Sequence, residues 1–384
     1  MLINMGPQHP STHGVLRLQL ELDGESVVKC TPHVGYVHTG IEKTIENRTW
    51  QQAVTCTDRM DYLCPLINNL GYALAVEKLL GCEIPPRAQV ARVILTELQR
   101  LASHLVWLGT HAIDLGAMSV FLYCFRDREA IMDLFDLTTG QRMMTSYIRI
   151  GGIALDLHPD FPERTAQFCA AFPAHVDEYE ALLTENEIWK ERTTGVGVIN
   201  RELAIALGIT GPTLRATGFD WDLRKQQPYC GFEQYNFVVP TATAGDCYAR
   251  YQVRMLEMRE SVKIIQQALS KLPEGPFRTA DRRVALPPRT ELNTSMEALI
   301  HHFKLVTEGV RVPAGEVYQA VESPRGELGF YVVSDGTNHP YRCHVREPSF
   351  VNLQALPPMM EGRLIADAVA CIGSLDPVIG GTDR

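Results

Sequence analysis

The sequence has no C-x-x-C pair. Its ten cysteines stand singly along 384 residues, so the close-spaced thiolates of zinc or common iron–sulfur sites are missing. No stretch reaches the ~20 apolar residues that a membrane-spanning helix needs. The longest one free of Asp, Glu, Lys and Arg, Tyr62 to Val76, already contains Asn68 and Asn69. A basic excess is also lacking. With 36 Lys and Arg against 45 Asp and Glu, a net charge of −9, the chain is not a general nucleic-acid binder. The opening MLINMGPQHP has neither a basic start nor an apolar core, so no secretory signal is expected. The thiols are then expected to be reduced and mostly buried. There is no internal repeat and no low-complexity segment.

What is present is ordinary for a soluble globular chain: 45% hydrophobic and 21% charged residues,. The length fits two or three domains, or one large core with an added layer. One stretch organises the reading. Met5 to Gly14, MGPQHPSTHG, carries His9 and His13 between Gly6 and Gly14, stiffened by Pro7 and Pro10. Proline fixes its own φ and turns the preceding residue away from helix. A constrained loop is expected there, between strands at Leu2–Met5 and Val15–Leu22. Such a loop can hold an imidazole in place, and His13 is expected to hand a proton to a bound substrate. A tight turn with exposed histidines is the competing reading.

The run VLRLQLEL alternates as a half-buried strand does. Asp23-Gly24 is a turn, and Ser26 to Cys30 returns. From Gly40 the period changes. Asp58 is placed to cap a helix running to Leu80, kinked at Pro65 and ended by Gly81. The next helix, from Val90 past Leu108, is apolar on most sides and is expected to be buried. His104, His111 and Asp114 lie on it or just beyond it. Further helices are expected at Tyr123–Thr139, Pro162–Trp189, Glu202–Leu207, Asp246–Lys271 and Ser295–Thr307. Irregular packing loops are expected over Gly208–Gly245. The runs GFYVVS and YRCHVR flank Asp335-Gly336 as a hairpin. The expected fold class is α+β, mainly α: an N-terminal antiparallel β-sheet (1–40), a helical core (41–315) and a C-terminal β hairpin with its tail (316–384), packed as one compact unit. Neither hairpin is stable alone, so both should dock on the helices.

Three polar residues stand out: His13, Tyr62 and Asp114. Histidine titrates near neutral pH. Tyr62 puts a phenolic donor on a kinked, apolar helix. A carboxylate after so apolar a helix is costly unless it has a partner, and a histidine paired with a carboxylate gains basicity. Two donors and a means of reloading one are what the protonation of a two-carbonyl ring requires. Local readings stay open. Asp114 follows His111 by three residues and can pair with it on one helix face, and Tyr62 can simply bury its ring.

The runs GPQHPSTHGVLRL, VGYVHTGIEK, DRMDYL, LASHLVWLGTHAIDLGA, FRDRE, RIGG, MRESVKIIQQAL, SPRGELG, PSFVNLQ and SLDPVIGGTDR resemble the D-subunit (49 kDa) family of NADH–quinone oxidoreductase, respiratory complex I, over essentially the whole chain. That family is similar to the large subunit of nickel–iron hydrogenases, so the resemblance implies a hydrogenase-large-subunit-like helical bundle core. Hydrogenases grip their metals with four cysteines, in R-x-C-G-x-C and D-P-C-x-x-C segments. Here Arg59-Met60-Asp61-Tyr62-Leu63-Cys64 has Asp61 at the first thiolate, Tyr62 at the glycine, and only Cys64 retained. Asp376-Pro377-Val378-Ile379-Gly380-Gly381 has Val378 and Gly381 at the other two. One thiolate does not replace four in a soft nickel site. No metal or iron–sulfur cluster is expected on this chain, and Cys64 is expected to be a packed thiol.

The resemblance implies the following function. With the complex's B subunit, which holds the terminal iron–sulfur cluster, the chain encloses a chamber where quinone is reduced. Tyr62 and His13 bond the two ring carbonyls, and Asp114 partners His13 and links the chemistry to proton translocation. NAD binds in another subunit. The C subunit and the membrane-arm H subunit are further implied partners, on the cytoplasmic side of the inner membrane, with no nucleic acid. Met144 stands where many relatives have a histidine beside the terminal cluster, so the cluster's potential is expected to depend less on pH here. The alternatives are a ferredoxin-fed relative of complex I, an energy-converting hydrogenase large subunit, and a non-catalytic scaffold.

Overall fold

The alternating run near the N-terminus is the middle strand of a small antiparallel sheet. In this computed structural model, which describes all 384 residues, strands β1 (Leu2–Met5), β2 (Arg17–Asp23) and β3 (Ser26–His33) pair in that order. Leu18, Leu20 and Leu22 point inward and are buried, while Glu21 and Asp23 stay exposed. The turn expected at Asp23-Gly24 is there, with Asp23 opposite Ser26. This sheet docks on the far end of the chain. Its leucines share a core with Leu353, Met359, Met360, Cys371 and Leu375, and Val27 exchanges backbone bonds with Gly362 and Arg363 at 2.7 and 2.8 Å.

Helices α1 (Ile41–Glu46) and α2 (Trp50–Thr57) come next, then α3 (Pro65–Leu80), α4 (Pro86–Asp114) and α5 (Met118–Thr139). The single kinked helix expected from Asp58 to Leu80 does not form. Asp58 closes α2, and Pro65 opens α3, where its missing N–H would have had no intrahelical partner. Tyr62 therefore stands on a turn between two helices, not on a kinked helix. Gly81, at φ +62°, ends α3 as expected. Helix α4 is buried nearly all round, packed by α3, α5 and, further on, α11 (Cys247–Ser270). Three of its buried polar side chains are paired: Arg92 with Glu77 at 2.6 Å, Glu97 with Arg224 at 3.0 Å, and His104 with Glu257 at 3.0 Å.

After α5 comes a minimal hairpin, β4 (Ile148–Arg149) and β5 (Gly152–Ile153). The long helix expected over Pro162–Trp189 is two, α6 (Phe161–Leu183) and α7 (Glu187–Thr193). The side chain of Asn186 accepts from Trp189 N at 3.1 Å and starts the second, as an N-cap does. The short helices α8 (Arg201–Ala206), α9 (Pro212–Arg215) and α10 (Leu223–Gln226) punctuate the loops before α11, and α12 (Met296–Thr307) follows it. Asp246 and Ser295 cap α11 and α12 through their side chains.

The expected C-terminal hairpin is β7 (Gly326–Ser334) with β8 (Arg342–Arg346). The structure adds β6 (Gly315–Ser323), antiparallel to β7 with Val317 opposite Val332. The β6–β7 turn carries Pro324 and Arg325. Four short helices complete the chain: α13 (Pro348–Asn352), α14 (Leu356–Met360), α15 (Asp367–Leu375) and α16 (Ile379–Asp383). The fold is α+β and mainly α: a helical core flanked by two three-stranded antiparallel sheets. All ten cysteines are free thiols, and seven of them are buried.

Candidate functional site

The loop joining β1 to β2 is pinned from inside. Gly6 sits at φ +83°, and a Cβ there would lie 2.1 Å from the Leu16 carbonyl oxygen, so only glycine fits. The Ser11 N–H donates to His9 Nδ1 at 3.2 Å, and the Thr12 hydroxyl to the His9 carbonyl at 2.9 Å. His13 N–H bonds the Pro10 carbonyl at 3.0 Å, closing one 3-10 turn over Pro10–Thr12, with His13 itself left-handed at φ 53°. The geometry turns the imidazole inward, and His13 Nε2 is buried without a protein partner. Burial, and then the positive charge of Arg325, lower its pKa to about 4. His13 is neutral at pH 7.

Tyr62 stands on the α2–α3 turn, and the two asparagines of the apolar run shape that turn. Asn68 Nδ2 donates to the carbonyls of Thr57 and Asp61 at 2.9 and 3.0 Å. Asn69 Nδ2 donates to Asp58 Oδ1 at 2.6 Å. Tyr62 is 37% exposed. Its pKa is raised by burial and by the neighbouring Asp61 carboxylate, so the phenol keeps its proton and is a donor.

His13 and Tyr62 line one cavity of about 620 Å³, together with Val15, Val37, Ile41 and Gly380 among others. That is the size of a small-molecule site, with an apolar wall from Val15, Val37 and Ile41 and polar groups from Thr39, Thr44 and Arg59 beside the two candidates,. Another cavity, of about 330 Å³, lies between the Thr49–Thr55 and Arg149–Ile153 segments and contains none of the three candidates.

Asp114 is not brought to His13. It is the last residue of α4, half-buried, with its pKa raised by burial. The charge that acts on it comes from His9, not His13. The expected His13–Asp114 partnership is therefore not formed in this structure. The local alternative is not formed either, because both ring nitrogens of His111 are buried without a partner. His111 stacks on Trp107 at 5.8 Å and meets the edge of Trp189 at 5.1 Å. Burial and then Arg254 lower its pKa to about 3.

Behind the cavity lies a group that the sequence reading does not single out. Arg325 is 1% exposed. Its Nη1 donates to Asp61 Oδ2 at 3.0 Å, Ser103 Oγ at 2.6 Å and Cys64 Sγ at 3.1 Å, and its Nη2 to Asp376 Oδ1 at 3.1 Å. This guanidinium joins the Arg59–Cys64 segment to the segment that begins at Asp376. A built-in cation thus stands between the two segments that carry the metal-binding thiolates in hydrogenases. Burial and the Asp61 charge raise the Cys64 pKa, so it is an unreactive thiol. No group of three or more His, Cys, Asp or Glu is arranged to hold a metal ion. The SPRGELG and SLDPVIGG runs were the available signal for this hub, but only as blocks of resemblance. Nothing in their spacing points Arg325 at Asp61.

Four residues of the closing run pack on the site or its walls. Asp376 holds Arg325. A Cβ on Gly380 would lie 3.0 Å from the Tyr62 ring, and one on Gly381 2.8 Å from the Glu347 carboxyl carbon. Asp383 accepts from the N–H groups of Gly35 and Val37 at 2.7 and 2.9 Å, clipping the loop that forms one cavity wall.

Residues 114–384 match the family described as respiratory-chain NADH dehydrogenase, 49 Kd subunit. The NADH-quinone oxidoreductase D 1 subunit of Roseiflexus castenholzii is 65% identical over 387 aligned residues, covering 100% of this chain and 93% of the relative. The corresponding D 2 subunit of Chloroflexus aurantiacus is 63% identical, and the D 1 subunit of Solibacter usitatus 62%, each over 100% of this chain and 94% of the relative. The chain belongs to the 49 kDa subunit family of respiratory-chain NADH dehydrogenases.

Proposed function

We propose that this chain is the quinone-binding subunit of a proton-translocating NADH:quinone oxidoreductase, and that the cavity shared by His13 and Tyr62 takes the quinone headgroup. The observation that carries the reading is that cavity, where two donors from distant parts of the chain meet in an apolar hollow. The Tyr62 hydroxyl and one His13 ring nitrogen are hydrogen-bond donors to the two ring carbonyls. Reduction adds two electrons and two protons to the ring, and Tyr62 is the first proton source. His13, held neutral by burial and by Arg325, serves the resting site as a hydrogen-bond donor. It takes up an extra proton from solvent only once negative charge builds on the ring or Asp114 is drawn to it, and that proton goes to the second ring oxygen. That second condition gives Asp114 its role as the link to proton translocation.

Electrons arrive from the terminal iron–sulfur cluster on the B subunit, and NAD is bound elsewhere in the complex. The C and H subunits are further neighbours. No helix here is long and apolar enough to cross a membrane, and we place the chain on the cytoplasmic face of the inner membrane, held through its partners. Helix α12 supports assembly with other subunits: Met296, Leu299, Ile300, Phe303 and Val306 form one exposed apolar face, of the kind that marks an interaction surface.

The test is Tyr62→Phe and His13→Ala in the intact complex. Quinone reduction should fall about a hundredfold in each, the scale of a lost general acid. NADH oxidation by ferricyanide, which does not use this site, should be unchanged. Quinone reduction that survives both changes refutes the reading.

A further inference from the structure

Glu347, at the start of α13, is 1% exposed, and no side chain bonds either of its carboxyl oxygens; the Ser349 backbone N–H, two residues on, is the donor that faces them. No ion pair reaches it. A carboxylate in that condition is costly, whereas a neutral carboxylic acid has a proton to give. Its surroundings come from three other elements. Asp61 faces it from the α2–α3 turn, Arg325 from the β6–β7 turn, and Arg384 from the end of α16. Its carboxyl also fills the space in front of Gly381, where a Cβ would lie 2.9 Å from Oε1. In hydrogenases that position holds a metal-binding cysteine. Gly380, the residue before it, is covered by the Tyr62 ring. Glu347 and Tyr62 therefore flank the same glycine pair, and both feel Asp61 and Arg325.

We propose that Glu347 is the group that returns a proton to Tyr62 after Tyr62 has protonated the bound quinone. The inference rests on the quinone-site reading above. In the first step the Tyr62 O–H bond breaks and an O–H bond forms on the ring oxygen. In the second the Glu347 O–H bond breaks and the Tyr62 O–H bond re-forms, the proton passing through one bridging water because no direct hydrogen bond joins the two side chains,. Glu347 is left as a carboxylate facing Arg325 and Arg384 until solvent reprotonates it. The two electrons go to the quinone from the complex's own iron–sulfur chain, so neither side chain changes oxidation state. The direction of transfer follows from proton affinity. Burial, with the Asp61 charge, holds the Glu347 carboxyl at about 8, and Tyr62 is raised above the usual phenol value. The phenolate is the stronger base and takes the proton. Glu347 acts through Tyr62 and does not touch the ring.

The experiment measures NADH oxidation by a short-chain ubiquinone in the intact membrane-bound complex from about pH 6 to 9.5, a window that brackets the Glu347 titration, with ferricyanide reduction as the control. The wild-type rate should fall as pH rises past about 8. Glu347→Gln should lower the maximal rate about tenfold at unchanged KM and remove that alkaline fall. Glu347→Asp should restore most of the rate and a shifted fall. A wild-type rate that is flat across the alkaline range, or a Glu347→Gln profile that superimposes on wild type, overturns the proposal. Should Glu347→Gln lose ferricyanide activity through misassembly, Glu347→Asp decides: an alkaline midpoint unmoved from wild type overturns it. Quinone reduction that survives Tyr62→Phe defeats the quinone-site reading itself. Loss in Tyr62→Phe beside an unaffected Glu347→Gln defeats only the reloading role.

Discussion

Arg325 Nη1 lies 3.0 Å from the Asp61 carboxylate and donates to it, tying the β6–β7 turn to the residue before Tyr62. Both groups are buried. Removing one half of such a pair leaves an uncompensated charge, which costs about 3–5 kcal/mol. Arg325→Met should therefore strongly lower the thermal stability of the assembled complex. Lysine should not rescue it, because a point charge cannot fork between Asp61 and Asp376. Adding Asp376→Asn to Arg325→Met should recover part of the loss. Thermal unfolding of the wild-type complex and the three variants checks this, and a double variant no better than Arg325→Met alone refutes it.

Gly380→Ala is the smallest change aimed at Tyr62. The new methyl would lie 3.0 Å from the ring and 2.7 Å from the Met60 carbonyl oxygen, so the ring must move. Overpacking of this kind costs about 1–3 kcal/mol. The functional expectation is a raised KM for quinone and a lower kcat, with ferricyanide reduction unchanged. Kinetics indistinguishable from wild type would mean that the Tyr62 position is irrelevant to the cavity.

The buried histidines set an acid limit on stability. His111 is held neutral with its pKa lowered from 6.5 to about 3. The unfolded chain thus binds a proton that the folded chain refuses. The His111 contribution, complete above about pH 6.5, is lost as pH falls toward about 3,. At about pH 5 the loss is about 2 kcal/mol. Glu347 and Asp376, with pKa values raised to about 8 and about 6, act in the opposite sense, so a variant difference isolates the histidine. His111→Phe minus wild type should shift by about 2 kcal/mol in the variant's favour between about pH 8 and about pH 5. Thermal unfolding at the two pH values measures it, and a constant difference contradicts it.

Met144 cannot titrate, and it stands in the loop between α5 and β4 at φ 54°. On the quinone-site reading this loop adjoins the terminal cluster. Met144→His should then make the cluster's midpoint potential fall more steeply with pH than in the wild type. Redox titration followed by electron paramagnetic resonance reads the slope, and equal slopes contradict the expectation.

Much of this was legible along the chain. The alternation of Arg17–Asp23 and the apolar α4 follow from side-chain period alone, because those faces are buried by whatever packs on them. The His13 loop was legible too, since Pro and Gly act on their own backbone. Pro65 was misread because the same residue kinks a helix from inside and begins one at its first position. Only the backbone before it decides which.

Residue types and period by themselves determined the class of fold, the constrained loop at His13 and the absence of any C-x-x-C pair. The tertiary structure alone decided that His13 shares a cavity with Tyr62, that Asp114 does not pair with His13, and that Arg325 joins Asp61 to Asp376 beside Tyr62. The reason is physical. Period and propensity are local properties of the backbone, whereas the charge of a buried group depends on which distant segments remove water from it and which ions they bring.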